Sequence, residues 1–317
     1  VADRGAGRFA PSPTGQLHIG NLRTAVLAWL FARSTGRQFV IRVEDLDRVR
    51  AGAEAAQLAE LAALGLTSDT PVIRQSEQAG RYQRTLDHLR EQGLVYECFC
   101  SRRDVAEAAS APHARPGFYP GTCRALPEEE RARRRAVRAP ALRLRSAVDL
   151  WHAEDLLAGR VIGPVDDLVL QRNDGVIAYN LAVVVDDAAQ HIDQVVRGDD
   201  LLESAPRQSY LASLLGLPEP VYAHVPLAVN RGGRRLAKRD GAVTLEDLAR
   251  LGRAPAEVLG VILSSLDLPA ESLEAALAAF EPGRLPRAPW VVDPADLFST
   301  PADPACKPSA PTDKVHP

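Results

Sequence analysis

The chain has 317 residues and a net charge of −3, with 46% hydrophobic and 25% charged residues, the balance of an ordinary globular protein. That length suits two domains, or one domain with a large insertion. The longest aliphatic run, residues 181–185, is far short of the ~20 residues of a membrane helix, and the first residues carry no charged-then-apolar signal pattern, so a transmembrane, secreted or collagen-like protein is not expected. The near-neutral charge excludes a uniformly basic nucleic-acid surface; a polyanion would have to meet a local patch. Four cysteines, Cys98, Cys100, Cys123 and Cys306, are too few for a disulfide scaffold. The grouping of the first three suggests a metal site instead.

Residues 7–10 predict a short strand, stopped by Pro11-Ser12-Pro13-Thr14-Gly15. A helix then follows from His18, with Leu22, Val26, Trp29 and Leu30 on one face and Gly36 as its C-cap. Residues 39–43 alternate as a strand. Residues 53–64 and 77–92 read as helices closed by Gly65 and Gly93, and 95–100 as a strand. This alternation predicts a parallel sheet with crossover helices. Five prolines over 101–140 break the rhythm and mark an insertion, whose helix over 127–137 is strongly basic. Strands are expected over 167–171 and 176–178 around the Asn173-Asp174-Gly175 turn. A helix (179–187), a strand (191–196) and a second helix (204–215) follow. After the turn Asn230-Arg231-Gly232-Gly233 comes a basic segment, 234–239, and then helices over 244–252 and 255–266. From residue 300 the near absence of apolar side chains predicts disorder.

Two segments carry chemistry. In the first, a strand runs through a Pro/Gly turn into a helix N-terminus, a place suited to an anion. His18 and Asn21 lie three apart and share one side of the first turn, and Gly20 lets a ring or phosphate approach the backbone. In the second, Arg234-Arg235-Leu236-Ala237-Lys238-Arg239 sets four cations within six residues, which suits a polyphosphate. Alone, the first is as compatible with an ordinary turn, and the second reads more readily as a solvated charged loop. No P-loop and no complete dinucleotide fingerprint is present.

Taken together and in order, these segments resemble the class I aminoacyl-tRNA synthetases. RFAPSPTGQLHIGN stands at the first signature and RLAKR at the second. The glutamyl branch is indicated by APSPTG, by Ile41-Arg42-Val43-Glu44-Asp45-Leu46-Asp47, by residues 179–187 and by Val196-Arg197-Gly198-Asp199-Asp200. The resemblance covers residue 7 to about 250. It implies an α/β fold: a Rossmann-like class I catalytic domain with a HUP-type parallel sheet, a zinc-containing insertion and a short helical C-terminal region. The expected divisions are the first catalytic half over 1–100, the insertion over 101–145, the second half with its KMSKS-like loop over 146–240, a helical region over 241–299 and a disordered tail over 300–317.

The resemblance also implies an amino-acid pocket of Arg8, Phe9, Ala10, Pro11, Ser12, Glu44, Tyr179 and Arg197. A dicarboxylic amino acid needs two guanidinium forks and one carboxylate for its ammonium, which Arg8, Arg197 and Glu44 supply. Tyr179 can donate its hydroxyl to a carboxylate oxygen. ATP would be met by His18, Gly20, Asn21 and Lys238, with Mg²⁺ on the phosphates, and His18, Asn21 and Lys238 would be catalytic. Two departures from the family stand out. The last histidine of its first signature is Asn21, and the second signature keeps Lys238 but has Arg235 and Ala237 at the flanking positions. For the metal, spacing alone leaves Tyr119 and His113 both open as fourth ligand beside Cys98, Cys100 and Cys123; the resemblance to the short glutamyl paralogues favours Tyr119.

Only 78 residues follow Arg239, too few for a large anticodon-binding portion. The chain is therefore similar to the truncated paralogues that attach glutamate to queuosine at the wobble position of tRNA(Asp). That implies tRNA-independent activation of glutamate, contact with the anticodon loop, and a cytoplasmic monomer with no membrane partner. The basic helix offers phosphate contacts or is simply a solvated face. Alternatives are a shortened synthetase charging the 3′ end, a silent protein that only binds RNA or an amino acid, and another nucleotidyltransferase of the same fold.

Overall fold

The computed structural model describes residues 5–109, 118–236, 243–293 and 297. Lys238, His113 and Cys306 lie outside these residues, as does the segment from 300 onward.

The chain begins with strand β1 (Ala6–Phe9), helix α1 (Ile19–Ser34), β2 (Gln38–Val43), α2 (Ala53–Ala63), β3 (Ile73–Arg74), α3 (Ala79–Glu91), β4 (Val95–Cys98) and α4 (Arg102–Ala109). Helix α5 (Glu128–Val137) leads into four strands, β5 (Ala141–Leu144), β6 (Leu150–Asp155), β7 (Gly159–Pro164) and β8 (Val169–Gln171). Then come α6 (Tyr179–Ala189), β9 (Ile192–Gly198), α7 (Ala205–Leu214), β10 (Val221–Val225) and β11 (Ala228–Val229). Helices α8 (Leu245–Arg250), α9 (Pro255–Ser264) and α10 (Leu273–Ala278) and strand β12 (Trp290–Val291) complete it.

The main sheet has seven strands in the order β3-β2-β1-β9-β10-β6-β7. Every neighbouring pair is parallel except β6 and β7, which form an antiparallel hairpin at the edge. Strand order therefore reverses at β1 and β9, the kind of switch point where open α/β sheets bind ligands beyond the carboxyl ends of their strands. Helix α1 is apolar nearly all round, with Ile19, Leu22, Val26, Leu27 and Leu30 at most 1% exposed, because it is enclosed between the sheet and the C-terminal helices. Its core runs on through Val258, Ile262 and Leu263 of α9 and Ala276 of α10. On the opposite face a second core joins α3, α6 and α7.

Two of the expected strands differ from the sequence expectation. β4 does not join the parallel sheet; it pairs antiparallel with β5, and β5 with β8, in a separate three-stranded sheet. Its partner starts some forty residues later, so alternation of strands and helices could not reveal it. The Asn173–Gly175 turn does reverse the chain, with Gly175 at φ +84° and Arg172 N–H donating to the Val176 carbonyl at 2.8 Å. Only a single bridge, Gln171 to Ile177, follows it rather than a second strand. Among the described residues no helix is long and apolar enough to cross a membrane.

Candidate active site and metal centre

A cleft of about 720 Å³ opens at the switch point. Arg8, Phe9, Ala10, Pro11, Ser12, His18, Asn21, Glu44, Tyr179 and Arg197 all line it. Arg8 and Arg197 come from the neighbouring strands β1 and β9, and Glu44 follows β2. Two expected residues are not among those lining it: Lys238 lies outside the described residues, and Gly20 packs beneath the first turn of α1.

Beneath the cleft lies a closed charge network. Arg8 is 4% exposed and donates to both carboxylate oxygens of Asp187, at 3.3 and 3.5 Å. Arg42, fully buried, donates to Asp187 at 2.6 Å and to Glu44 at 3.3 Å, and lies 3.9 Å from Asp186. Burial works against the charge on Arg42, but Asp187, Glu44 and Asp186 more than offset it and raise its pKa. Burial alone would raise Asp187; Arg8 and Arg42 bring it below the usual carboxylate range. Glu44 goes the other way, because desolvation outweighs Arg42 and Arg8 and lifts its pKa above the ordinary value. A substrate ammonium placed against Glu44 would relieve that burial cost. Asp186 and Asp187, at the end of the family segment 179–187, meet Arg8 and Arg42, contacts that periodicity alone does not reveal.

Arg197 has three of its donors engaged. Its Nε donates to His224 Nε2 at 3.0 Å, one terminal nitrogen to Gln208 Oε1 at 2.7 Å and the other to the Leu201 carbonyl at 3.2 Å. A guanidinium has five N–H groups, so two remain, one on each terminal nitrogen, for a carboxylate in the cleft.

At the mouth of α1, His18 is the N-cap. Its Nδ1 accepts from the Asn21 backbone N–H at 3.2 Å, and the Asn21 Oδ1 accepts from the His18 backbone at 3.3 Å. This reciprocal box places the ring proton of neutral His18 on Nε2 and leaves the Asn21 amino group as the donor able to meet a phosphate. A Cβ on Gly20 would stand 2.8 Å from the Ala228 methyl and 3.0 Å from the His18 ring, so packing of α1 on β11 already demands glycine there. The proline-rich turn is held from α2: Gln57 donates to the Ser12 and Gly15 carbonyls at 3.0 and 2.5 Å, and Glu60 accepts from the Leu17 backbone at 2.9 Å. Of the second basic segment, Arg235 and Leu236 reach the cleft, and Arg235 forms an ion pair with Asp200.

A second chamber, about 810 Å³, shares Ser12, Glu44 and Tyr179 with the first. Its far wall includes Cys100, Ser101, Val105 and Arg138 from the insertion, facing Leu46, Asp47 and Arg172.

The insertion brings its cysteines together. The sulfurs of Cys98, Cys100 and Cys123 lie within 4.8 Å of one another. Cys100 and Cys123 Sγ are 3.6 Å apart, and the Tyr119 hydroxyl lies 3.3 Å from Cys98 Sγ and 3.8 Å from Cys100 Sγ. Tetrahedral zinc with bonds of about 2.3 Å to sulfur and about 2.0 Å to oxygen requires sulfurs roughly 3.8 Å apart and sulfur–oxygen separations of roughly 3.5 Å. The four groups therefore fit zinc. Burial, with Cys98 beside it, pushes the Cys100 thiol up to about 12; a cation among the sulfurs would reverse that. The Tyr119 hydroxyl accepts from the Cys123 backbone N–H at 2.8 Å, and the Arg143 guanidinium lies 3.7 Å from its ring centre. Burial and the Cys98 thiol hold the Tyr119 hydroxyl well above its ordinary pKa, so it would become a phenolate only with a cation among the sulfurs.

The basic helix α5 is largely neutralised from within. Arg131 and Arg135 pair with Glu128, Arg133 with Glu129 and Glu130, and Arg134 with Glu130; Arg135 also reaches Glu97. Three glutamates in its first turn, rather than an external polyanion, account for its arginines.

Residues 6–277 match the catalytic domain of the class I tRNA synthetases designated E and Q. The glutamyl-Q tRNA(Asp) synthetase of Nocardia farcinica is 61% identical over 289 residues, covering 91% of this chain and 93% of that protein. The chain belongs to the glutamyl-Q tRNA(Asp) synthetase family. Its counterpart in Symbiobacterium thermophilum, of the same name, is 44% identical over 89% of this chain and 94% of its own. Among solved structures, the glutamate tRNA ligase of Elizabethkingia meningosepticum, crystallised with its amino acid, superposes with a TM-score of 0.77 at 25% identity. That likeness covers 92% of this chain and 67% of the ligase. The protein is a class I synthetase-like ligase with the parallel-sheet core of that class.

Proposed function

We propose that the protein uses ATP to activate glutamate as glutamyl-adenylate without tRNA and then transfers glutamate to queuosine at the wobble position of tRNA(Asp). The observation that carries the proposal is the placing of two nearly buried guanidiniums, Arg8 and Arg197, and one desolvated carboxylate, Glu44, around a single cleft at the N-terminus of α1. Two forks and one carboxylate complement a molecule with two carboxylates and one ammonium. Glutamine would leave one guanidinium without its anion in a buried setting, which is costly. The names of the relatives support the acceptor.

In the first step an α-carboxylate oxygen of glutamate attacks the α-phosphorus of ATP, and the bond to the β-phosphate oxygen breaks to release pyrophosphate. In the second, a queuosine hydroxyl attacks the glutamyl carbonyl, the ester forms and AMP leaves. No protein nucleophile is needed. The chain orients the reactants and spreads phosphate charge through His18, Asn21 and Lys238. Mg²⁺, when bound to the ATP phosphates, adds positive charge there. The chamber beyond Tyr179 gives the acceptor nucleoside a route to the adenylate, and Cys98, Cys100, Tyr119 and Cys123 would hold a structural zinc that braces its outer wall.

The test is incubation with labelled glutamate, ATP and individual tRNA species, followed by mapping of the label. Label on the anticodon of queuosine-containing tRNA(Asp), with ATP–pyrophosphate exchange driven by glutamate alone, is the expected result. Label on a 3′ end would indicate a shortened conventional synthetase, and absence of any exchange a silent binding protein. Lys238→Ala should abolish exchange; a wild-type rate would remove Lys238 from the chemistry.

A further inference from the structure

Three adjacent strands carry a chain of hydrogen bonds that ends on Arg197. Asp155 closes β6, His224 lies on β10 directly opposite Arg197 on β9, and all three side chains are buried. Asp155 Oδ2 accepts from His224 at both the backbone N–H, 3.0 Å, and the ring Nδ1, 2.6 Å. Its other oxygen accepts from the backbone of Leu157 and Ala158 at 2.8 and 2.7 Å. With the Nδ1 proton committed to Asp155, His224 must present Nε2 as an acceptor, and Arg197 Nε donates to it at 3.0 Å. The Tyr222 ring lies 5.0 Å from the same guanidinium and stacks on His224 at 5.6 Å.

We propose that Asp155 and His224 form a positioning relay that fixes the rotation of the Arg197 guanidinium, so that its two remaining N–H groups face the substrate carboxylate. The inference rests on the proposal that Arg197 grips that carboxylate. Neither Asp155 nor His224 lines the cleft, so neither touches substrate. The relay works in one protonation state only. A doubly protonated imidazole would present an N–H to Arg197 in place of a lone pair, and the fork would lose its anchor. The titratable groups facing His224 are Asp155, Arg197, Tyr222 and, from the turn after β9, Asp199. Burial, aided by Arg197 and opposed by Asp155, holds His224 below its ordinary value of 6.5 and so keeps it neutral near pH 7. Asp155 also ties down the β6–β7 turn, so His224 is the cleaner position to alter.

The experiment is ATP–pyrophosphate exchange by the full chain. His224→Phe keeps the ring and removes both nitrogens. It should raise KM for glutamate by about 10- to 100-fold, the value of a hydrogen bond to a charged group, while KM for ATP stays within about twofold. His224→Gln, which retains an acceptor, should recover part of the loss. In the wild type, KM for glutamate should rise as pH falls through the lowered pKa of His224, which lies under 6.5; Glu44 and the substrate titrate alike in both proteins, so the relay is read from the part of the pH dependence that His224→Gln loses. An unchanged KM and an unchanged pH profile in both variants, with Arg197→Ala still impaired, would overturn the relay alone. An unaffected Arg197→Ala would overturn the relay together with the pocket assignment. Should His224→Phe fail to fold, the Gln variant and the wild-type pH profile decide the question.

Discussion

The guanidiniums beneath the cleft and those on α5 have the same chemistry and opposite consequences. Arg42 has no contact with water and meets three carboxylates, one just after β2 and two from α6 that are separated from it by more than a hundred residues. The arginines of α5 meet glutamates three, four or seven residues away, with Arg135 also reaching Glu97, and the helix buries nothing. A buried pair is weak evidence of stabilisation, yet breaking it exposes an uncompensated charge to a medium that cannot solvate it. A surface pair remains in water and is worth little either way. The comparison teaches that position, not the number of salt bridges, decides which arginines the fold and the cleft depend on.

The sharpest way to break this contrast is Asp187→Ala. It would leave Arg8 and Arg42 short of their shared anion and should destabilise the protein by about 3–5 kcal/mol, measured by urea unfolding; a loss under 1 kcal/mol would place the network nearer to water than its burial implies. Arg8→Ala should next raise KM for glutamate by roughly 10- to 100-fold, since a hydrogen bond to a charged group is worth about 1.5–3 kcal/mol. The third prediction concerns proton linkage. Burial raises Glu44 above its ordinary 4.5, and a bound ammonium favours its ionised form. Glutamate affinity should therefore be fully present above that raised pKa and fall as pH drops through it, with proton release on binding detected by calorimetry in buffers of different ionisation heat. The fourth turns to the insertion: purified protein should carry about one zinc by elemental analysis, and Cys98→Ser should lower that content without abolishing glutamate-dependent exchange. At the small end, Arg133→Gln on α5 should change stability by under about 0.5 kcal/mol. A lowered tRNA affinity and a shallower salt dependence in that variant would show that the helix meets phosphates despite its internal pairing.

How much of this was legible depended on how local the signal was. β1, α1, β2 and α2 follow from periodicity and punctuation within a few residues, and the cysteine cluster from spacing. The edge hairpin of β6 and β7 escaped notice because its alternation is weak; Leu150 and Ile162, 53% and 67% exposed, sit on the solvent side where polar residues would ordinarily mark a face. Residues 221–225, VYAHV, form an apolar run too short to separate strand from helix. Arg8, Glu44 and Arg197 were reached through family resemblance, not through composition. Of their supports, Asp187 lies in the family segment 179–187, but Gln208 and the Asp155–His224 pair have no motif, because strand order brings them together and order in a sheet is not written along the chain.

Arg23 carries one more implication. It is a cation inside α1, 2% exposed, with Nε donating to Ser265 Oγ at 3.0 Å and a terminal nitrogen donating to the Pro226 carbonyl at 2.9 Å. Burial brings its pKa down to about 10. Such a residue is tolerable only while the turn after α9 is there to receive it. The terminal helices are thus a lid nailed to the long helix that presents His18, and heat should melt catalytic sheet and C-terminal helices in one transition. Cleaving them away would leave a stranded charge and an open apolar wall, not a leaner catalyst.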